Sequence, residues 1–239
     1  MGNKINPNSF RLGIVKPWQS RWFVRKNFRN LLEEDMVIRR TVKEKIGQAG
    51  VVAIEISRTA GMCRVMVRAA RPGLIIGRGG QGAEDLKKAI EKALRKLGKE
   101  RTHAPQSVNL SIEELRRSEP SALLTAQQLA WELEKRMPFR RLLKKTLELL
   151  MQNRDVLGAK IRMAGRLDGA EISRDEWLAK GKLPLQTLRA NIDYGEATAY
   201  TTFGTIGIKV WINKGEVFEK KAKSASDSAS ATLDAKRFS

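Results

Sequence analysis

Between Leu74 and Leu97 the chain changes its apolar period within a few residues, and that change restricts the fold more than any other feature. Leu74-Ile75-Ile76 runs directly into Gly77-Arg78-Gly79-Gly80, after which Leu86, Ile90, Ala93, Leu94 and Leu97 recur on one stripe. Lys87, Lys88, Lys92, Arg95 and Lys96 fall largely on the remaining surface, as on a helix that buries a single face. Upstream, Val51-Val52-Ala53-Ile54-Glu55-Ile56 reads as a strand. Residues 62–69 then alternate, with Cys63, Val65 and Val67 on one face and Arg64 and Arg68 on the other. Arg58-Thr59-Ala60-Gly61 supplies the turn of a hairpin, and Cys63 becomes a small core residue. A helical pattern over 31–46 precedes the hairpin, and Val108, Leu110 and Ile112 alternate along a last strand over 107–112. Helix, strand, strand, glycine turn, helix, strand closes one α+β unit. Glycines where a helix begins permit unusual backbone angles and remove side chains that would hold a ligand away. The helix N-terminus then offers N–H groups and partial positive charge to a phosphate, and Arg78 adds a cation.

A second unit starts at Ser118-Glu119-Pro120, a helix N-terminus. Its first helix is expected to reach about Met137, where Pro138 interrupts or kinks it. The next carries Phe139, Leu142, Leu143, Leu147 and Leu150 on its apolar side. Strands are expected over 159–163, near 170–173, over 185–192 and over 205–212, giving two helices on a mostly antiparallel four-stranded sheet. The expected fold class is therefore α+β. It comprises a basic aromatic arm (1–30), an α+β unit with helices on a three-stranded sheet (31–115), an α/β unit (116–216) and a disordered basic tail (217–239). The arm interleaves Phe10, Trp18, Trp22, Phe23 and Phe28 with Lys4, Arg11, Lys16, Arg21, Arg25, Lys26 and Arg29, and its Pro and Gly residues favour an extended segment. Such an arm packs its rings on the domain, threads into RNA, or does both.

Charge narrows the function. Lys and Arg number 46 against 26 Asp and Glu, a net charge of +20, and nucleic acid is the commonest polyanion to balance such an excess. No apolar run approaches the roughly 18 residues of a membrane span, and the opening Met1-Gly2-Asn3-Lys4-Ile5-Asn6-Pro7 lacks an apolar signal core, so a cytoplasmic chain without membrane partners is expected. His103 and Cys63 are single residues of their types, which leaves no His/Cys metal site, no disulfide and no ready nucleophile–base pair. His103 reads as a solvated connector residue. Gly80-Gln81-Gly82-Ala83 lacks the Lys-Ser/Thr of a nucleotide-binding P-loop, and the dinucleotide fingerprint fails as well. No cofactor is expected. A second cationic group, Arg136, Arg140, Arg141, Lys144 and Lys145, has no acid among residues 136–146. On a helix after Pro138 these residues face away from Phe139, Leu143 and Leu147; like charges four apart repel, so a phosphate-bearing partner is indicated.

The glycine turn in its setting resembles the KH module, whose GXXG loop clamps the backbone of about four nucleotides. Over 1–216 the chain resembles the bacterial-type family of small-subunit ribosomal protein S-three. The matching stretches are Arg11-Leu12-Gly13-Ile14, Lys16-Pro17-Trp18, Arg71-Pro72-Gly73-Leu74-Ile75-Ile76-Gly77 and Phe139-Arg140-Arg141. Others are Gly165-Arg166-Leu167, Gly169-Ala170-Glu171-Ile172, Thr187-Leu188-Arg189-Ala190, Ile192-Asp193-Tyr194 and the run from Gly204 through Ile212. The resemblance implies a type II KH domain followed by an α/β domain, a seat on ribosomal RNA in the subunit head, and a cationic helix face lining the path by which mRNA enters. It also implies neighbours in the head (S-ten and S-fourteen) and around the entrance pore (S-four and S-five). Candidate RNA contacts are Gly77, Arg78, Gly79 and Gly80, with Lys87 and Lys88 behind them, Lys4, Arg11, Lys16 and Arg21 on the arm, and Arg166. Candidate mRNA contacts are Arg136, Arg140, Arg141, Lys144 and Lys145. Asn6, Ser9, Pro138, Asp168 and Gln186 depart from the family pattern, Asp168 standing where Gly is usual. A free KH factor would carry further modules, and an enzyme on nucleic acid would need a metal cluster that the acidic residues do not suggest. A structural, non-enzymatic ribosomal protein is the expectation.

Overall fold

The computed structural model describes residues 4–24, 27–59, 62–98, 107–115 and 119–218. The hairpin tip at Ala60-Gly61, the connector holding His103 and the tail beyond Phe218 lie outside those residues.

The arm is not extended throughout. Pro7–Phe10 forms a helical turn, α1, started by Asn6, whose side chain accepts a hydrogen bond from the Asn8 N–H, and by Pro7, whose missing N–H is harmless there. Ser20–Arg21 then forms β1. Helix α2 (Phe28–Ile46) leads to β2 (Val51–Thr59) and β3 (Met62–Ala69), the expected antiparallel hairpin. A short helix α3 (Pro72–Ile76), a tight turn (Arg78–Gly80) and α4 (Gln81–Gly98) follow, and β4 (Ser107–Glu114) completes the unit. Its sheet has the order β1-β2-β3-β4, with β1 parallel to β2 and β4 parallel to β3. The arm therefore adds a two-residue edge strand to the three expected ones. Ile38 and Val42 of α2 and Leu86 and Ile90 of α4 bury against Ile54, Ile56, Cys63, Val65, Val67 and Val108. Cys63 is a buried free thiol whose pKa is pushed up by that burial, against the pull of Arg58. Arg58 is itself buried between Glu34 and Asp35 of α2, its Nη2 lying 2.6 Å from Asp35 Oδ1.

In the second unit, Ser121 caps α5 (Ala122–Glu134), and Pro138 begins α6 (Phe139–Gln152). Pro138 thus separates two helices, its carbonyl accepting the first bond of α6 from Leu142 N–H at 3.2 Å. Strands β5 (Gly158–Gly165), β6 (Arg174–Gly181), β7 (Ala190–Thr201) and β8 (Gly204–Glu216) form an antiparallel sheet in the order β6-β5-β8-β7. Both helices cover one face of it, and the apolar side of α6 (Phe139, Leu142, Leu143, Leu147, Leu150) is buried as the periodicity requires.

Two strands differ from expectation. Residues 170–173 are a bend, because Leu167–Gly169 makes a tight turn with Asp168 and Gly169 at positive φ, and pairing resumes only at Arg174 opposite Gly165. The strand expected over 185–192 begins at Ala190 instead: the carbonyls of Leu185 and Thr187 accept from the Arg11 guanidinium and are lost to a ladder.

Candidate nucleic-acid interface

The glycine turn sits where α3 meets α4. Gly77 adopts φ 69°, ψ −173°, a conformation closed to residues with a Cβ, and Gly79 and Gly80 also have positive φ. Gly82 in the first turn of α4 is as tightly held, since a Cβ there would lie 2.5 Å from the Ile75 carbonyl oxygen. Sequence reasoning picked out Gly77 to Gly80 and missed Gly82, whose constraint comes from backbone packing between two helices. Arg78, Lys87 and Lys88 are exposed, and Lys88 makes only a long i,i+4 contact with Glu84 at 3.9 Å. Leu74 and Ile76 are exposed beside them. The surface thus combines a Cβ-free backbone, mobile cations and two apolar side chains.

Along the arm the expectation needs correction. Arg11 is fully buried. Its Nε donates to the Ala190 carbonyl at 2.7 Å, Nη1 to Pro7, and Nη2 to Leu185 at 2.8 Å and Thr187 at 3.0 Å. Burial lowers its pKa, but a guanidinium stays charged at neutral pH. With its donors spent on carbonyls and no exposed surface, Arg11 is a joint and not a phosphate contact. Lys16 is half-buried and bonded to Asn8 Oδ1 at 2.6 Å and Asp193 Oδ1 at 3.1 Å, so it is also committed to the protein. Asp193 in turn accepts from the Ala122 N–H at 2.9 Å, fixing the start of α5. Only Lys4 and Arg21 among the four arm candidates are exposed.

The second cationic group lies around the start of α6. Arg140, Arg141, Lys144 and Lys145 are all exposed on the face opposite its buried residues. Arg140 Nη2 reaches Glu176 Oε1 at 3.3 Å, a compensation across the sheet that local sequence could not reveal. Among the described residues, no acidic group lies within ion-pair distance of Arg141, Lys144 or Lys145. Arg136 ends α5 at φ 61°. Its N–H bonds the Leu133 carbonyl at 2.9 Å and the Met137 N–H bonds the Glu132 carbonyl at 3.2 Å, a Schellman closure in which glycine is the usual residue. Arg166 braces a neighbouring turn, Nε on the Ala170 carbonyl at 2.8 Å and Nη1 on the Phe203 carbonyl at 3.3 Å. Among the described residues no His/Cys/Asp/Glu cluster could hold a metal ion, and no helix is long and apolar enough to cross a membrane.

The KH domain family model matches residues 37–119, the α+β unit that presents the glycine turn at a helix start, and this places the unit in the KH class. The model for ribosomal protein S3, C-terminal domain, matches residues 129–212. The chain is 47% identical over 221 residues to small ribosomal subunit protein uS3 of Desulfitobacterium hafniense, covering 92% of this chain and 96% of that one. Its uS3 counterpart in Syntrophomonas wolfei is 46% identical over 217 residues, 91% of each chain. That of Endomicrobium trichonymphae is 44% identical over 234 residues, 98% of this chain and 96% of the relative. The chain belongs to the small ribosomal subunit protein uS3 family.

Proposed function

We propose that the chain is a structural constituent of the small ribosomal subunit, held in its head on ribosomal RNA, and that the exposed face of α6 lines the path of incoming mRNA. The glycine turn Gly77 to Gly80, with Arg78, Lys87, Lys88 and the exposed arm residues Lys4 and Arg21, is the part assigned to ribosomal RNA. The separate apolar cores of the two units support treating 31–115 and 116–216 as independent RNA-facing bodies. S-ten and S-fourteen in the head, and S-four and S-five at the entrance, are the neighbours this seat implies. Nothing in this role requires bond making or breaking.

The observation that carries the mRNA assignment is the row of Arg141, Lys144 and Lys145, exposed on a rigid helix without acidic partners among the described residues. Fixed cations at this spacing grip a phosphate backbone without reading bases, and each phosphate neutralised on a single strand contributes about −0.7 to the log–log salt slope. A strand so held is kept from re-pairing. Subunits carrying Arg140→Ala, Arg141→Ala and Lys144→Ala together are expected to assemble normally and to translate unstructured messages at the parental rate. They are expected to slow on messages with a stable hairpin ahead of the entrance. Equal rates on both messages would remove the α6 face from the mRNA path.

A further inference from the structure

A cleft of about 450 Å³ opens beside the α6 face, between the end of α5 and the β7–β8 turn. This size lies within the range of small-ligand sites. Arg136, Arg166, Tyr200 (73% exposed) and Phe203 (52% exposed) are among the residues that line it. Asp168 and Gly169 form its floor at one end and also line a second hollow that reaches Arg140. The two hollows thus share one wall, and Pro138, the N-cap of α6, lines the first of them.

Its walls are fixed. Tyr200 N–H donates to Glu134 Oε1 at 3.0 Å, tying β7 to the end of α5. The Phe203 carbonyl is held by Arg166, and its ring lies so close over Gly169 that a Cβ there would meet it at 3.1 Å. Thr201 Oγ1 donates to the Gly204 carbonyl at 2.7 Å and closes the turn. Of the three non-glycine residues with positive φ among the described residues, two, Arg136 and Asp168, line this cleft. Both hold left-handed backbone, which brings a cation and a carboxylate to positions where glycine is the usual residue. Exposed rings on a rigid turn, beside cations, are the elements with which proteins hold unpaired bases: the ring stacks and the cation takes the adjoining phosphate.

We propose that this cleft is a nucleobase site, in which one unpaired base of the single-stranded RNA running along α6 stacks on Tyr200 and Phe203 while Arg136 holds its phosphate. The proposal rests on the α6 reading above and adds to it a fixed stopping point for a base. Stacking on a π-face tolerates any base, so the site grips without selecting sequence.

The test uses the full chain and a short oligouridine carrying 4-thiouridine, photocrosslinked and mapped to single residues by mass spectrometry. Attachment to Tyr200 or Phe203, together with attachment on α6, is expected. Tyr200→Leu with Phe203→Leu, which keeps bulk but removes the rings, is expected to abolish attachment at the turn and weaken binding roughly tenfold, with the salt slope unchanged. Attachment on α6 with none at either ring, or unaltered affinity in the double variant, would overturn the base site and leave the α6 reading standing. No attachment on α6 or at the turn would overturn both.

Discussion

Arg136 holds a backbone conformation that costs an L-residue roughly 1–2 kcal/mol and costs glycine nothing. Glycine in the unfolded chain loses more freedom on folding, which offsets part of that gain. Arg136→Gly is therefore expected to raise the urea midpoint by an amount worth about 1 kcal/mol while weakening single-stranded RNA binding. A variant that gained stability and bound RNA as before would show that the side chain has no part in binding. Asp168, at φ 52°, likewise holds a left-handed turn conformation in which glycine is the favoured residue. Tyr194 gives a pH signature. Its partial burial, with its hydroxyl donating to Glu196 Oε2 at 2.9 Å, pushes its pKa up to about 12. An unfolded tyrosine ionises near 10, so the native phenol keeps its proton where the unfolded one has lost it. Stability from this group is intact below about pH 10 and falls as pH rises toward about 12. The chain has two tyrosines, so phenolate absorbance of Tyr200→Phe reports Tyr194 alone, and a midpoint near 10 would contradict the burial.

At the scale of elements, periodicity fixed what buried faces dictate. The stripe Leu86, Ile90 and Leu94 and the alternation of Val65 and Val67 both report a core on one side, and both lie in it. Pro138 breaks the helix as its sequence position implies, because the effect of proline is local. The strand misplaced at 185–189 has a different cause from the one at 170–173, which a local turn displaces. Residues 185–189 look like strand from their own composition, yet their carbonyls serve Arg11 from more than 170 positions away. Nothing within a window of a few residues carries that information. The cationic group on α6 was legible for the same local reason that its pairing with Glu176 of β6 was not. Likewise the cleft by Tyr200 joins the end of α5, a turn after β5 and the β7–β8 hairpin, three segments far apart in sequence. Matching motifs located some of these residues without saying what they do: Arg11 and Thr187 fall in two separate matching stretches, and the structure joins them in one buried contact.

For the whole molecule, the arm is a strap across both units. Its first half is bonded to the second unit through Asn8, Arg11 and Lys16. Its second half is bonded to the first unit: the Ile56 N–H donates to the Gln19 carbonyl at 2.9 Å, Arg39 to Ser20 Oγ at 2.9 Å and Trp22 Nε1 to Asp35 Oδ2 at 2.9 Å. Other contact between the units is narrow, Leu124 lying against Gly50 and Gln127 reaching the Val51 carbonyl at 3.5 Å. The part of the chain made first thus closes on carbonyls made late in synthesis, between Leu185 and Ala190, and such long-range contacts form late in folding. The relative position of the glycine turn and the α6 face depends on this closure. Arg11→Ala removes a donor from the buried Ala190 and Pro7 carbonyls and from the part-buried Leu185 carbonyl, while Thr187 keeps the Ala190 N–H. Each unmet group costs about 1–3 kcal/mol, and water entering the gap recovers part of that. A net loss of about 3 kcal/mol corresponds to roughly a hundredfold faster hydrogen exchange where the loss is felt. That acceleration is expected across 184–201 and not in β2, β3 or β4, measured by mass spectrometry on the full chain. Uniform acceleration through both units would mean that they unfold together and that the arm is part of a single cooperative body. No acceleration would mean that Asn8 and Lys16 hold the strap without Arg11.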